Sequence, residues 1–333
     1  MDLILLLPVL CVVALPGGIA PAPLAHTYSI VARDPATGEM GVAVQSHYFS
    51  VGPVVPWAEA GVGAVATQSL VLVDYGPNGL DLMRKGLTAQ QALDSLVRAD
   101  TSSDVRQVAM VDAKGNVATH TGKKCIPDAG HKAGNQYSCQ ANLMANPSVW
   151  PAMSAAFEKA QGDLAERMMQ ALEAAQKAGG DIRGKQSAAI VVVKAQASGK
   201  PWADRVMDLR VEDSQDPLKE LRRLIRLRRA YILEDDGDNF IAAKKPDEAL
   251  KAYEDAAKLA PEVAELKFWA AVSMYANGRE ADAIKMFREV FSHEQQWVDL
   301  VPRLAQVGLF PNDPKKIEEV QRQRPHSRLE RGR

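Results

Sequence analysis

The chain has 333 residues, enough for two domains. Hydrophobic residues make up 47% and charged residues 24%, the balance of an ordinary globular protein. A net charge of -1 provides no global field toward nucleic acid or an anionic membrane, and 6% aromatics argue against a base-stacking surface, so no nucleic-acid partner is expected.

Residues 3–15, LILLLPVLCVVAL, are an apolar run of signal-peptide length, too short to span a bilayer comfortably. Small and turn-forming residues follow from Pro16 to Ala25. The first two residues, Met1 and Asp2, lack the usual basic charge, so an uncleaved N-terminal anchor stands beside the cleaved leader. The favoured reading is a signal peptide over residues 1–25, which implies a periplasmic or secreted protein that meets a membrane only through that leader. Leu10 before Cys11 does not suit lipid attachment.

Residues 26–214 read as one sheet-rich domain. Strands are expected over 27–33 and 39–46 around the Pro35–Gly38 turn, and over the small-residue run Gly61–Gln68. A helix is expected from near Asn78, and another from Thr88, where Thr88 and Gln91 form a capping box. A hairpin follows at 105–121 around Ala113-Lys114-Gly115. Helices at 148–161 and 163–178 and strands at 186–194 and 205–212 complete the domain. Strand runs separated by helix pairs suit a layered α+β architecture.

Cys125 and Cys139 are an even pair in a chain expected to be exported, which permits a disulfide and predicts that the two lie within bridging distance. A metal site of His120, Cys125, His131 and Cys139 lacks the clustered spacing of zinc sites; two reduced, buried thiols are the third alternative. The chain contains no P-loop, GxSxG, HExxH or strand-borne GxGxxG motif, and neither a metal nor a cofactor is expected.

After Asp213 the composition shifts. Pro217 opens a helix bearing Arg222, Arg223, Arg226, Arg228 and Arg229, read as a solvated face with acidic residues nearby rather than an anion site. From Ala230 the chain repeats with tetratricopeptide spacing: Ala249 aligns with Ala283 and Tyr253 with Phe287. Residues 215–312 are therefore expected to form an all-α repeat module that folds on its own, capped by the helix before Ala230 and one near 297–307, and able to hold a protein or peptide partner. Residues 313–333 read as a charged, frayed tail.

The chemistry centres on Thr27, a hydroxyl residue that opens the first strand. Such a residue suggests an N-terminal nucleophile, whose own α-amine, with a reference pKa of about 7.7 to 8.0, serves as base. Cleavage after Ala25 leaves His26 in front of Thr27, so a further trimming step is required. Ser29, two residues on along the same strand face, is the reserve nucleophile. Both are equally readable as ordinary strand residues.

The run TYSIVARDPATGEMGVAVQSHYFSVGPVVPWAEAGVGAVATQS, with HTGKKC, CQAN, GGDIRGKQSAA and DLRVED in order after it, resembles the domain-of-unknown-function family 1028 over about residues 27–215. That family is grouped with N-terminal-nucleophile (Ntn) hydrolases, its substrate unsettled. The resemblance implies a four-layer αββα sandwich and an amidohydrolase cleaving a small amide or peptide-like bond through an acyl-enzyme on Thr27. By the same resemblance, His47 stands where shorter members carry Lys, a cation beside the nucleophile, although a loop histidine is the plain alternative. Asn142 is a candidate oxyanion donor, Gly179-Gly180 either backbone donors or a helix C-cap, Asp181 and Arg183 a substrate-orienting or mutual pair, and Gln68 a pocket-lining residue. Assembly into homo-oligomers follows by analogy with Ntn folds. The competing class is a non-catalytic cell-envelope scaffold that binds through its repeats.

Overall fold

The computed structural model describes residues 24–325. The chain divides into two compact units, parting between Leu221 and Arg222.

The first unit is built on two antiparallel sheets. One joins β1 (Leu24–Ala25), β4 (Pro56–Glu59), β5 (Gly63–Leu70), β6 (Arg106–Asp112) and β7 (Val117–Thr121). The other runs β11-β10-β3-β2-β9-β8, from β2 (Thr27–Arg33), β3 (Met40–Ser46), β8 (Gly130–Gly134), β9 (Tyr137–Ala141), β10 (Ser187–Val193) and β11 (Arg205–Val211). Strand β2 is thus internal, between β3 and β9.

Period-two alternation decides what each face meets. Val31, Val42, Val44, Ala189 and Val191 of the second sheet pack against Ala64, Ala66, Ala109 and Val111 of the first. These side chains are small and bring the two sheets into direct contact. The outer face of the first sheet carries Val65, Val108 and Met110, which pack on α1 (Tyr75–Arg84) and α2 (Ala89–Ala99). Helices α3 (Val149–Lys159) and α4 (Leu164–Lys177) serve the second sheet: Tyr137 of β9 meets Phe157 of α3 with ring centroids 4.7 Å apart, and the Tyr28 hydroxyl donates to Gln176 of α4 at 3.0 Å. Thr88 caps α2 in the expected reciprocal capping box. Helix α1 starts at Tyr75, ahead of the expected Asn78, and buries that tyrosine against the sheet.

Three features were not expected from the sequence. Leu24 and Ala25, read as the end of the leader, form strand β1. Strand β4 has only four residues. The β8–β9 hairpin carries polar residues, Ser138 and Gln140, on the inner face of β9, so its apolar alternation is hidden.

That hairpin also corrects the cysteine expectation. Cys139 lies in β9, paired with Ile30 and Lys132, whereas the Cys125 thiol donates to the Arg106 carbonyl of the other sheet at 3.3 Å. Both cysteines are free and buried. Cys125 lies in the loop between β7 and β8 with its thiol on a first-sheet carbonyl, whereas Cys139 sits within β9 of the second sheet. The alternative quartet is not assembled either: the His120 ring bonds the Ser103 carbonyl and the His131 ring bonds Thr121. Among the described residues, no three His, Cys, Asp or Glu side chains gather as a metal cluster.

From Arg222 the second unit is helical: the remainder of α5 (Pro217–Ala242), then α6 (Pro246–Leu259), α7 (Ala264–Ala276), α8 (Glu280–His293), α9 (Val301–Gln306) and α10 (Pro314–Gln321). The expected cap helix before Ala230 and the first repeat helix are one continuous 26-residue helix, α5. Ala249, Tyr253, Ala283 and Phe287 are all buried in one core. Gly237 permits close packing there, since a Cβ on it would lie 2.3 Å from the Tyr253 ring. Arg226 bonds Glu262 and the Leu259 carbonyl, as a solvated charged face would. The expected frayed tail is partly structured: α10 is capped by the Asp313 side chain and buries Val320. Among the described residues, no helix is long and apolar enough to cross a membrane. The expected leader, apart from Leu24 and Ala25, lies outside the described residues.

Candidate active site at the sheet crossover

The chain changes sheets at His26. Leu24 and Ala25 pair with Leu70 and Ser69 of the first sheet; Thr27 pairs with Ser46 of the second. Ala25, His26 and Thr27 are buried where the two sheets meet.

Thr27 shares the inward face of β2 with Ser29 and Val31. Its hydroxyl has two acceptors within reach, the Ala25 carbonyl at 2.8 Å and Ser46 Oγ at 3.0 Å. Ser46 Oγ in turn donates to the His26 carbonyl oxygen at 2.7 Å. Arg183 Nη2 donates to that same oxygen at 2.7 Å. The carbonyl of the His26–Thr27 peptide bond is therefore held by a hydroxyl and a guanidinium, next to the Thr27 hydroxyl. Negative charge developing on that oxygen would keep both donors, which is the requirement of an oxyanion site.

Arg183 is fixed by Asp181. Its Nε and Nη2 donate to the carboxylate at 3.0 and 2.7 Å, and its backbone N–H adds a third bond at 2.9 Å. The Asp181 side chain is fully buried. It also accepts from the His47 backbone N–H at 3.3 Å, while the His47 side chain points to solvent. The cation that touches the Thr27 peptide is thus Arg183.

A second layer of amides lies behind the crossover. Ser29 Oγ donates to Gln68 Oε1 and accepts from Gln140 Nε2, both at 2.6 Å. Gln68 Nε2 reaches Gln107 Oε1 at 2.7 Å and the Thr27 carbonyl at 3.2 Å. Asn142 Nδ2 also donates to Gln107 Oε1, at 2.9 Å. That orients the Asn142 Oδ1 toward His26 Nδ1, 2.7 Å away, so the ring nitrogen is the donor. Burial pushes the His26 imidazole below its usual pKa, which favours the neutral ring with Nε2 unprotonated.

Thr27, Ser29, Gln68, Asn142, Asp181 and Arg183 therefore lie in one connected network. Gly179 and Gly180 do not join it. Their N–H groups bond Gln176 and Ala175 carbonyls and close the end of α4, with φ of 125° and 62°. Sequence reasoning missed Ser46, Gln107 and Gln140. The available signal was parity: Ser46 continues the inward face of Val42 and Val44, and Gln107 that of Ala109 and Val111.

A family described as a family of unknown function (DUF1028) matches residues 27–221. A tetratricopeptide repeat family matches residues 240–304. No curated protein matches the chain. The crystal structure of protein SPO2555 from Silicibacter pomeroyi, itself described as DUF1028, is similar with a TM-score of 0.55 and 28% identity, over 61% of this chain and 85% of that one. The match spans more than half of the sequence and contains every residue of the network from Thr27 to Arg183: this chain belongs to the DUF1028 family, and it carries a tetratricopeptide repeat after that domain.

Proposed function

We propose that the first unit is an N-terminal-nucleophile amidohydrolase of the αββα class, and that scission of the His26–Thr27 bond activates it. The observation that carries this reading is the His26 carbonyl oxygen, bound by both Ser46 Oγ and Arg183 Nη2 beside the Thr27 hydroxyl. Two helix pairs outside two facing sheets, and a nucleophile on an internal strand, are consistent with it.

In the activating step Thr27 Oγ bonds to the His26 carbonyl carbon. The hydroxyl proton passes to the Thr27 nitrogen and the C–N bond breaks, leaving an ester and a free α-amine. Water then cleaves the ester, releasing a carboxylate at His26 and restoring the Thr27 hydroxyl. The freed amine becomes the general base for acyl transfer from an external amide. Export to the periplasm or beyond belongs to the same reading, and fractionation of the native cells tests it.

Intact mass and N-terminal sequencing test the mechanism. Wild-type protein is expected to yield a chain beginning at Thr27, faster in hydroxylamine, which attacks the ester. Thr27→Ala is expected to stay uncleaved. Wild-type protein that stays intact on long incubation, together with no amidase activity in a chain made to start at Thr27, would overturn the proposal.

The second reading is a binding scaffold. It is favoured by the repeat module, because tetratricopeptide repeats generally mediate protein–protein interaction, and by the complete burial of Thr27 behind residues 24–26. It expects an intact N-terminus in the native protein.

A further inference from the structure

The ester formed during activation would carry the acyl group of Leu24-Ala25-His26 on Thr27 Oγ. That species is the same acyl-enzyme that an external substrate with this acyl side would form. Residues 24–26 therefore occupy the seat of a substrate's acyl half, and their contacts define its preferences.

Three contacts select. Strand β4 pairs with β5 only over Gly63–Ala66, and Leu24 and Ala25 continue along that edge at Leu70 and Ser69, as an added peptide strand would. The Ala25 side chain is fully buried in the core shared with Val44 and Val71, which leaves space for a small residue only. The His26 ring is buried and donates from Nδ1 to Asn142 Oδ1, whose orientation Gln107 fixes. Leu24 is 55% exposed and contributes little selection.

The geometry points to a peptide substrate: the seat vacated by residues 24–26 takes an extended acyl chain ending in a small residue followed by histidine or a similar ring donor, and the bond after that residue is cut. The inference rests on the hydrolase reading above. In turnover the substrate's terminal acyl carbon bonds to Thr27 Oγ, the leaving amine takes the proton, and water releases the peptide acid.

The test varies the ligand rather than the protein. A chain starting at Thr27 is titrated calorimetrically with acetyl-Leu-Ala-His, acetyl-Leu-Phe-His and acetyl-Leu-Ala-Leu, and assayed with the matching p-nitroanilides. Phe in place of Ala overfills a buried apolar site and Leu in place of His leaves Asn142 Oδ1 unpaired, so each should weaken binding and kcat/KM by about tenfold or more. Equal binding of all three peptides, or binding of none, overturns the inference. Turnover of other amides without this selectivity overturns it while leaving the hydrolase reading intact. Selective binding without turnover sinks the hydrolase reading and with it the proposed cut, leaving a peptide-binding seat. The intact chain gives an independent measurement: Ala25→Phe and His26→Leu should each slow processing at Thr27 by about tenfold or more, and unchanged processing counts against the seat.

Discussion

Gln107 Oε1 accepts from Asn142 Nδ2 at 2.9 Å, and through this bond a residue of the first sheet sets the direction of an amide that directly follows β9 of the second. The same oxygen accepts from Gln68, and Gln107 Nε2 donates to the Ala141 carbonyl at 2.9 Å. Gln107→Leu would leave several buried groups unpaired. The expected loss is about 2–4 kcal/mol, from about 1–3 kcal/mol for each orphaned group with partial relaxation. Urea unfolding measures it, and a loss below about 0.5 kcal/mol would show that the network is not cooperative.

Acid should weaken the first unit through His26. Burial, the largest cause, holds its pKa below the ordinary 6.5, with a smaller opposing contribution from its bond to Asn142. The unfolded chain then takes up a proton as pH falls below about 6.5 while the folded chain does not, so stability present above that pH is lost below it. In a Thr27→Ala background, which retains His26, adding His26→Gln should flatten the decline in melting temperature from pH 7 to pH 5. An unchanged slope would mean that the ring is solvated.

The helical unit should respond in the opposite direction. Burial and the neighbouring Asp238, Asp235 and Glu265 push Glu234 up to about 7. The folded state binds that proton more tightly than the unfolded chain does, so this contribution is present below the ordinary 4.5 and is lost as pH rises through about 7. Glu234→Gln is expected to raise the thermal midpoint of the helical transition at pH 8 and to leave it nearly unchanged at pH 4. Equal midpoints at both pH values in the wild type and the variant would refute the shift.

Cys125 and Cys139 should be inert in the native protein. Burial raises both thiol pKa values, so little thiolate is present at neutral pH. Maleimide is expected to label neither before unfolding and both after it. Peptide mapping that finds the two joined would contradict the separate placement of the Cys125 loop and strand β9.

Apolar period made most of the fold legible. Strands β2, β3, β5, β6, β7, β10 and β11, helices α2 to α4 and the repeat spacing all follow from it. The period fails where a buried face is polar. Ser138 and Gln140 conceal β9, and without β9 the internal position of β2 beside Thr27 cannot be seen. The continuity of α5 was missed for a different reason: the repeat pattern marks where a unit begins, and nothing in Arg228-Arg229-Ala230 breaks the helix. In the candidate site, chemically distinctive residues such as Thr27, Asn142 and Arg183 can be named from the sequence. Ser46 and Gln107 act only through their facing across two sheets, a relation that no linear spacing records.

The composition that hides β8 has a consequence of its own. Among the described residues this strand, Gly-His-Lys-Ala-Gly, ends the six-stranded sheet on one side, and β11, which carries Arg205, Asp208 and Arg210, ends it on the other. His131 and Lys132 are exposed on the first. Charged margins of this kind disfavour continuation of the sheet into a neighbouring molecule. A domain whose chain so readily extends one sheet with its own N-terminal strand is thereby guarded, on its other sheet, against polymerising edge to edge.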